Sequence, residues 1–217
     1  MSRMLEELLD ASRATGWAAG QGTLNQVQLD AAMLKWTEVP TRRGGPTVST
    51  LRPVAPSDAQ PNSLSARYGT GPQPLHTDGA HLATPPDIVV LTCATTSTTP
   101  TYLWNAMRGG PYAQGASNLV QHGVFLVSSG NDSFFATAYA SRRLRYDPGC
   151  MLPADARARK AAQFFEQAAT TATEHHWSEP GQVLLIDNRR VLHARGSAAH
   201  EPQREIQRLS FYLNGEA

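Results

Sequence analysis

The chain has 217 residues, of which 41% are hydrophobic and 17% charged, and 19 Lys and Arg stand against 18 Asp and Glu. This length suits one domain with a single core, and the composition excludes an intrinsically disordered chain. A net charge of +1 is not typical of a nucleic-acid-binding protein, so we expect no nucleic-acid partner.

The sequence also bears on where the protein resides. No stretch reaches the roughly 18 apolar residues of a membrane span, and Glu6, Glu7 and Asp10 lie where a signal peptide would be apolar. We therefore expect a cytoplasmic protein with no membrane partner. The two cysteines, Cys93 and Cys150, form no CxxC pair, and we expect both to be packed free thiols.

The N-terminal residues favour two helices. Apolar residues recur at helical spacing over Ser2–Ala14, and Gly16 just beyond them is a helix stop signal. A second helix, capped by Thr23, ends before Pro40. We expect residues 1–40 to form a helical cover over the rest of the domain.

The remainder of the chain favours strands after a loop region rich in Pro, Gly, Ser and Thr. The predicted strands are Thr47–Val54, Gln73–Thr77, Asp87–Thr95, Gly123–Ser129, Ser133–Tyr139, Gly181–Asp187 and Arg204–Leu213. A short helix is expected to start within Leu103–Met107, and one long Ala-rich helix covers Pro153–Trp177. The predicted fold is mixed α/β, mainly β, in a single domain over residues 1–217 with a β core over 73–213.

The most informative local motif is His76-Thr77-Asp78-Gly79. Side chains two residues apart on a strand project from the same face, so His76 and Asp78 can reach one metal ion. A single HxD motif is weak evidence. A third ligand follows more than a hundred residues later, where the apolar strand Gly181–Asp187 leads through Asn188-Arg189-Arg190 to His193.

Two histidines and one carboxylate are the ligand set of the facial triad, which leaves three positions open on a non-heme Fe(II). Arg204 and Arg208 lie four residues apart on a predicted strand, so they share a face. Buried arginines need an anion. A 2-oxo acid that chelates the metal and presents a far carboxylate meets both requirements, and 2-oxoglutarate fits best.

These motifs resemble those of the taurine dioxygenase-like (TauD/TfdA and clavaminate synthase-like) family of Fe(II)/2-oxoglutarate-dependent oxygenases. The resemblance extends from about residue 73 to the C-terminus. It depends on the HxD segment with the following Pro85-Pro86-Asp87, on Asp187–Arg195, and on Arg204 and Arg208.

The resemblance implies a distorted double-stranded β-helix (jelly-roll) core with packing helices. It implies that His76, Asp78 and His193 are the metal ligands and the catalytic residues. Arg204 would bind the distal carboxylate of 2-oxoglutarate, and Arg208 would lie near its metal-bound carboxylate or near the substrate. Dioxygen and 2-oxoglutarate would be converted to succinate and CO2 while an unactivated C–H bond is oxidised, with hydroxylation as the default outcome.

The sequence departs from the family pattern in two respects. The Gly-Gly-x-Thr turn, whose threonine helps to hold the co-substrate, is replaced by Ser97–Tyr102. Thr101 is the natural match for this cofactor-binding residue, with Thr98 or Thr99 as alternatives. The chain is also shorter than most members, which implies a trimmed lid.

The substrate is expected to be a small anionic or amino-acid-like metabolite, because several arginines fall in loops that would border the site. Of these, Arg67 and Arg145 are assigned as substrate contacts. The substrate's identity and the formation of a homo-oligomer stay open.

Two alternative functions stay open as well. A cupin-like metal enzyme that does not use 2-oxoglutarate would leave Arg204 and Arg208 unexplained. A non-catalytic β-sandwich binding module would make the histidines incidental.

Overall fold

The computed structural model describes residues 3–41, 44–61, 63–109, 116–130 and 132–214. The helices in these ranges are α1 (Met4–Thr15), α2 (Leu24–Met33), α3 (Leu64–Tyr68), α4 (Ala106–Gly109), α5 (Ser117–His122) and α6 (Ala156–Ala168). The strands are β1 (Trp17–Gln21), β2 (Thr37–Glu38), β3 (Ser49–Leu51), β4 (Ile88–Cys93), β5 (Ser97–Asn105), β6 (Val124–Ser129), β7 (Asp132–Thr137), β8 (Tyr139–Ala140), β9 (Arg143–Leu144), β10 (Met151–Pro153), β11 (Thr173–Trp177), β12 (Gln182–Asp187), β13 (Val191–Arg195) and β14 (Ile206–Tyr212). The predicted class, mixed α/β and mainly β, is confirmed, with several antiparallel sheets.

The large sheet has the strand order β1-β12-β4-β14-β2, and β3 also pairs with β14. Its central strands β4 and β12 are almost continuous apolar runs because both of their faces are buried. On one face, Leu5 and Leu8 of α1 and Val27 of α2 pack against the sheet. These helices therefore seal one side of the sheet, as predicted.

A second sheet has the order β11-β5-β13 and faces the other side of the large sheet. Between the two sheets lies an apolar cluster that includes Leu103, Trp177 and Leu184. The outer face of the second sheet is covered by α6, where Phe165 packs edge-on against Trp104. The space between the two sheets is the part of the fold that holds the candidate site.

The predicted helical cover over residues 1–40 is only partly correct. Both predicted helices form, and Gly16 ends α1 in the left-handed conformation at a φ of 97°. The turn at Gly16 sends Trp17–Gln21 back along β12 as an edge strand, and β2 pairs with β14. Neither short strand has an alternating apolar pattern, so their pairing depends on the sheet that they join.

The prediction of one helix over Pro153–Trp177 is wrong in its C-terminal part. Helix α6 ends at Ala168, a 3-10 turn covers Ala169–Thr171, and β11 then pairs with β5. The β-branched and aromatic residues at this end favour a strand once a partner strand is present.

Two shorter predictions also need correction. Residues 103–105 are the end of the nine-residue strand β5 rather than the start of a helix, which begins at Ala106. Gln73–Thr77 is not a regular strand, because His76 forms only an isolated bridge with His193. That bridge nevertheless brings two predicted metal ligands side by side.

No helix in the described ranges has both the length and the apolar character needed to cross a membrane. Both cysteines are free thiols, and Cys93 is buried, as predicted. Burial raises the pKa of each thiol. Both are therefore protonated and poorly reactive near neutral pH.

Candidate active site

The three predicted metal ligands meet in one buried cluster. The backbones of His76 and His193 exchange two hydrogen bonds, of 2.9 and 3.0 Å. Asp78 follows two residues later in a turn, and its carboxylate lies beside both imidazole rings. One ligand atom from each residue lies within 4.8 Å of the other two. This spacing allows one metal ion to contact all three side chains.

The donor atoms are arranged as a metal site requires. His76 Nε2 lies 3.6 Å from Asp78 Oδ1, and His193 Nε2 lies 3.8 Å from Asp78 Oδ2. Asp78 Oδ2 is buried and accepts no hydrogen bond from the described residues. A buried carboxylate oxygen without a donor is costly, and a cation would satisfy it. Two imidazoles and one carboxylate with open positions suit Fe(II).

The charges in the cluster favour the protonation states that two of the ligands need. Burial would raise the pKa of Asp78, but the Arg208 charge and the His76 hydrogen bond bring it well below its usual range. Burial, helped by the charges of His76 and Arg208, lowers the pKa of His193 to about 3. Asp78 is therefore a carboxylate and His193 is neutral near neutral pH, as metal ligation requires.

His76 differs from His193. Burial lowers the pKa of His76, but the hydrogen bond and charge of Asp78 outweigh burial, and the net shift is upward. Its Nδ1 lies 3.0 Å from the carbonyl oxygen of Pro74. Because a carbonyl only accepts, Nδ1 carries a proton, and Nε2 is the atom that faces Asp78.

Asn188 holds the Asp78 backbone and was not predicted as a site residue. Its side-chain oxygen accepts from Asp78 N at 3.0 Å, and its Nδ2 donates to Asp78 O and Pro86 O at 3.1 and 2.8 Å. Asn188 is completely buried. The sequence feature that could have indicated a site residue is its position directly after the apolar strand β12.

Arg208 approaches the cluster from β14. Its Nη1 donates to Asp78 Oδ1 at 2.7 Å, while its Nε is buried and has no partner among the described residues. Leu209 and Phe211 lie on the opposite face of β14, against the helices. Arg208 and these apolar residues therefore lie on opposite faces of β14.

Arg204 lies just before β14 and is buried. Its Nε donates to Ser97 Oγ at 3.2 Å. No side chain or backbone group of the described residues accepts a hydrogen bond from its two terminal nitrogens. Burial lowers the pKa of Arg204, and the nearby Cys93 and Glu201 oppose that shift. A buried guanidinium with an unpaired end is suited to an anionic ligand.

Of the three candidate threonines, Thr101 is buried on β5, and its Oγ1 accepts from Trp177 Nε1 at 3.1 Å. An indole N–H can only donate, so the Thr101 hydroxyl keeps its own proton for another acceptor. Thr99 Oγ1 donates to Ser197 O, and Thr98 is exposed. Thr101 is therefore the candidate best placed to donate to a ligand.

The two arginines assigned to the substrate both bind backbone carbonyls. Arg67 is exposed and donates to Pro148 O at 2.9 Å. Arg145 donates to Ala80 O, Leu82 O and Ala83 O at 2.5, 2.6 and 2.7 Å. Arg145 thus fixes the segment that follows the Asp78 ligand position. Their contact with a substrate stays a prediction.

A family model described as "Taurine catabolism dioxygenase TauD, TfdA family" matches residues 111–210, which include His193, Arg204 and Arg208. No curated protein matches the sequence. Among solved structures, asparagine oxygenase in complex with Fe(II), 3-hydroxyasparagine and succinate is similar in fold. The TM-score is 0.74 at 17% identity, covering 97% of this chain and 78% of that one.

Two further oxygenase structures have a similar fold. The non-heme iron oxygenase OrfP, in complex with Fe and α-ketoglutaric acid, has a TM-score of 0.68 at 16% identity, covering 95% of this chain and 78% of that one. PvcB from Pseudomonas aeruginosa has a TM-score of 0.66 at 15% identity, and the match covers 97% of this chain and 82% of PvcB. At these identities the likeness establishes the fold.

Proposed function

We propose that this chain, which resembles the TauD/TfdA dioxygenase family as its motifs predicted, is a non-heme Fe(II), 2-oxoglutarate-dependent dioxygenase. The observation that carries the proposal is the buried His76-Asp78-His193 cluster, to which Arg208 of β14 donates, with the buried Arg204 just before the same strand. Fold neighbours in complex with iron and with α-ketoglutaric acid or succinate support this cofactor pair.

The proposal extends to the architecture. The large sheet and the β11-β5-β13 sheet would be the two halves of a distorted double-stranded β-helix, with the apolar cluster between them as its core. Residues 1–217 would form one oxygenase domain. The His76–His193 bridge continues the second sheet past β13, which supports this topology.

In this proposal His76, Asp78 and His193 hold the iron. With dioxygen as the oxidant, bound iron would supply the coupled oxidation in which 2-oxoglutarate becomes succinate and CO2 and a substrate C–H bond takes up one oxygen atom. The chain's own contribution is placement. The Pro74 carbonyl orients the His76 ring, and Asn188 fixes the backbone from which the Asp78 carboxylate projects.

The co-substrate would be held at its other end by Arg204 and Thr101. The two terminal nitrogens of Arg204, which have no partner among the described residues, would donate to the distal carboxylate, and Thr101 would donate its hydroxyl proton. Both residues are buried, so few water molecules compete for the same donors. Arg208, beside Asp78, would contact the metal-bound carboxylate of the co-substrate or an anionic group of the substrate.

The substrate we propose is a small amino-acid-like molecule, and the reaction a hydroxylation. The structure of OrfP with (3S)-hydroxy-L-Arg and that of asparagine oxygenase with 3-hydroxyasparagine support this class. Arg208, whose Nε is buried and has no partner among the described residues, would provide a cationic contact for a substrate carboxylate. Arg67 and Arg145 would act at the mouth of the site, Arg145 through the segment that it fixes.

The test is an anaerobic titration of metal-free protein with Fe(II) and then 2-oxoglutarate. Chelation of iron by the keto acid produces a weak visible charge-transfer band, and we expect that band in the wild type. The substitution His193→Ala should abolish the band. The control is His200→Ala, which changes an exposed histidine between β13 and β14 and should leave the band unchanged.

Other outcomes would overturn the proposal. Iron binding without a band would favour a metal enzyme that does not use 2-oxoglutarate, and absence of iron binding would favour a non-catalytic module. If the band forms, release of succinate with candidate amino acids identifies the substrate.

A further inference from the structure

Glu201, in the loop between β13 and β14, binds the first residues of β5 through its carboxylate. Glu201 Oε2 accepts from Ser97 Oγ at 2.8 Å and from Thr99 N at 3.0 Å, and Oε1 accepts from Thr98 N at 3.1 Å. Burial would raise the pKa of Glu201, but the hydrogen bonds from Thr99 and Ser97 bring it below its usual value. Glu201 is therefore ionised and can only accept.

This carboxylate fixes the direction of the hydrogen bonds at Ser97. The hydroxyl has one proton and two lone pairs. Its proton goes to Glu201, since the alternative acceptor, Thr99 O, is farther away at 3.5 Å. The lone pairs then accept from Thr99 N and from Arg204 Nε, each at 3.2 Å. Every hydrogen-bonding position of Ser97 is thereby used.

The consequence falls on Arg204. A guanidinium is planar, so a bond to Nε restrains the plane in which the two terminal nitrogens lie. Those terminal nitrogens are the ones without a partner among the described residues. We propose that Glu201 and Ser97 are positioning residues that orient Arg204 for the distal carboxylate of the co-substrate. This inference rests on the proposed function and concerns the affinity for 2-oxoglutarate.

The geometry argues for more than a cap on the end of β5. Capping that end requires only the bonds from Glu201 to the amides of Thr98 and Thr99. The Ser97 hydroxyl also links the Glu201 carboxylate to the Arg204 guanidinium. Ser97 lies 104 residues before Glu201 and 107 residues before Arg204 in the sequence. If Ser97 had a purely structural role, its substitution would weaken the binding of every 2-oxo acid to the same extent, whether or not that acid has a distal carboxylate.

The experiment measures dissociation constants from the charge-transfer band of the anaerobic Fe(II) protein. The ligands are 2-oxoglutarate and 2-oxopentanoate, which keeps the chelating end and lacks the distal carboxylate. The variants are Ser97→Ala, Glu201→Gln and Ser97→Thr, which keeps the hydroxyl. Glu205→Gln is the matched control, since it lies beside Arg204 but its carboxylate pairs with the exposed Arg52.

We expect Ser97→Ala and Glu201→Gln each to weaken 2-oxoglutarate binding roughly tenfold, the effect of losing a hydrogen bond to a charged group. Binding of 2-oxopentanoate should be unchanged. Ser97→Thr and Glu205→Gln should both resemble the wild type. At saturating 2-oxoglutarate, kcat should be preserved while the KM for 2-oxoglutarate rises.

Two results would overturn the inference while leaving the proposed function intact. One is wild-type affinity for 2-oxoglutarate in both Ser97→Ala and Glu201→Gln. The other is an equal loss for both keto acids, which indicates a structural role. If the wild type itself forms no band, the proposed function fails, and the positioning role that depends on it is rejected with it.

Discussion

The metal end and the anion end of the candidate site are held in different ways. At the metal end, His76 and His193 are neighbours through backbone hydrogen bonds, and Asn188 binds the backbone of Asp78. At the anion end, side chains hold side chains: Ser97 holds Arg204, and Trp177 holds Thr101.

This difference affects how each end tolerates change. Where backbone hydrogen bonds set the position of a metal-binding residue, many neighbouring side chains can be substituted without moving it. Substitution of the metal-binding residue itself removes the contact with the metal. A donor oriented by one neighbouring side chain depends on the identity of that neighbour, and its loss costs part of the affinity. We therefore expect loss of a metal ligand to abolish metal binding, and substitution of a residue that only orients a ligand or a donor, at either end, to give a graded loss of affinity.

The largest effect is expected from His193→Ala. With one of the three protein ligands removed, iron binding and 2-oxoglutarate turnover should both be abolished. Succinate release measures turnover, and the absorption spectrum of Co(II), used as a substitute for Fe(II), measures metal binding. An unchanged thermal melting temperature shows that the variant folds. Retention of metal-dependent turnover would rule out His193 as a ligand.

Arg204→Ala should leave metal affinity unchanged and raise the Kd for 2-oxoglutarate by roughly 100-fold, as expected for loss of one partner in a buried charge pair. The measurement is the same anaerobic titration. A matched loss of metal affinity would contradict the separation of the two ends. The Kd for 2-oxopentanoate serves as the internal control.

Asn188→Ala tests whether backbone anchoring supports the metal end. We expect metal affinity to fall roughly 10- to 100-fold, the range found for residues that orient metal ligands. Mn(II) binding followed by electron paramagnetic resonance gives the affinity. Unaltered Mn(II) affinity would mean that the Asp78 backbone is held well enough without the amide.

Metal affinity should also fall at acidic pH. The pKa of His76 is raised above 6.5, so its ring takes up a proton at a higher pH than a free histidine, and metal must displace that proton. Affinity for Mn(II) should be constant above this raised pKa and fall by up to about tenfold per pH unit below it. Asp78 and His193 titrate at lower pH. A constant affinity down to pH 5 would disagree with this assignment.

The smallest effect is expected from Trp177→Phe, which keeps a ring in the core and removes the indole donor to Thr101. Loss of a neutral hydrogen bond of about 0.5 to 1.5 kcal/mol predicts a two- to tenfold weaker affinity for 2-oxoglutarate. Trp36→Phe, against the helical layer near Phe211, is the control. Equal effects of the two substitutions would assign Trp177 a packing role alone.

The amino-acid sequence by itself predicted the parts of the molecule that depend on local spacing. The HxD motif and the later His193 predicted a metal cluster that the structure brings together. Helix α1 with its Gly16 stop and the apolar runs of β4 and β12 also follow from local patterns. For the helix, the strands and the HxD motif the signal lies within a few neighbouring residues, where periodicity and backbone conformation act directly. His193 lies more than a hundred residues after the HxD motif, and it was linked to that motif by the resemblance of both segments to one family.

Only the tertiary structure decided the partners of those elements. The segment 173–177 continues an Ala-rich helix in sequence but becomes β11, because β5 offers it an unpaired edge. Ser97, Glu201 and Asn188 were not recognised as site residues, since each acts through a contact with a residue 100 or more positions away. Hydrogen bonds between side chains so far apart leave no periodic pattern in the chain, and they exist only once the two sheets have closed around the site.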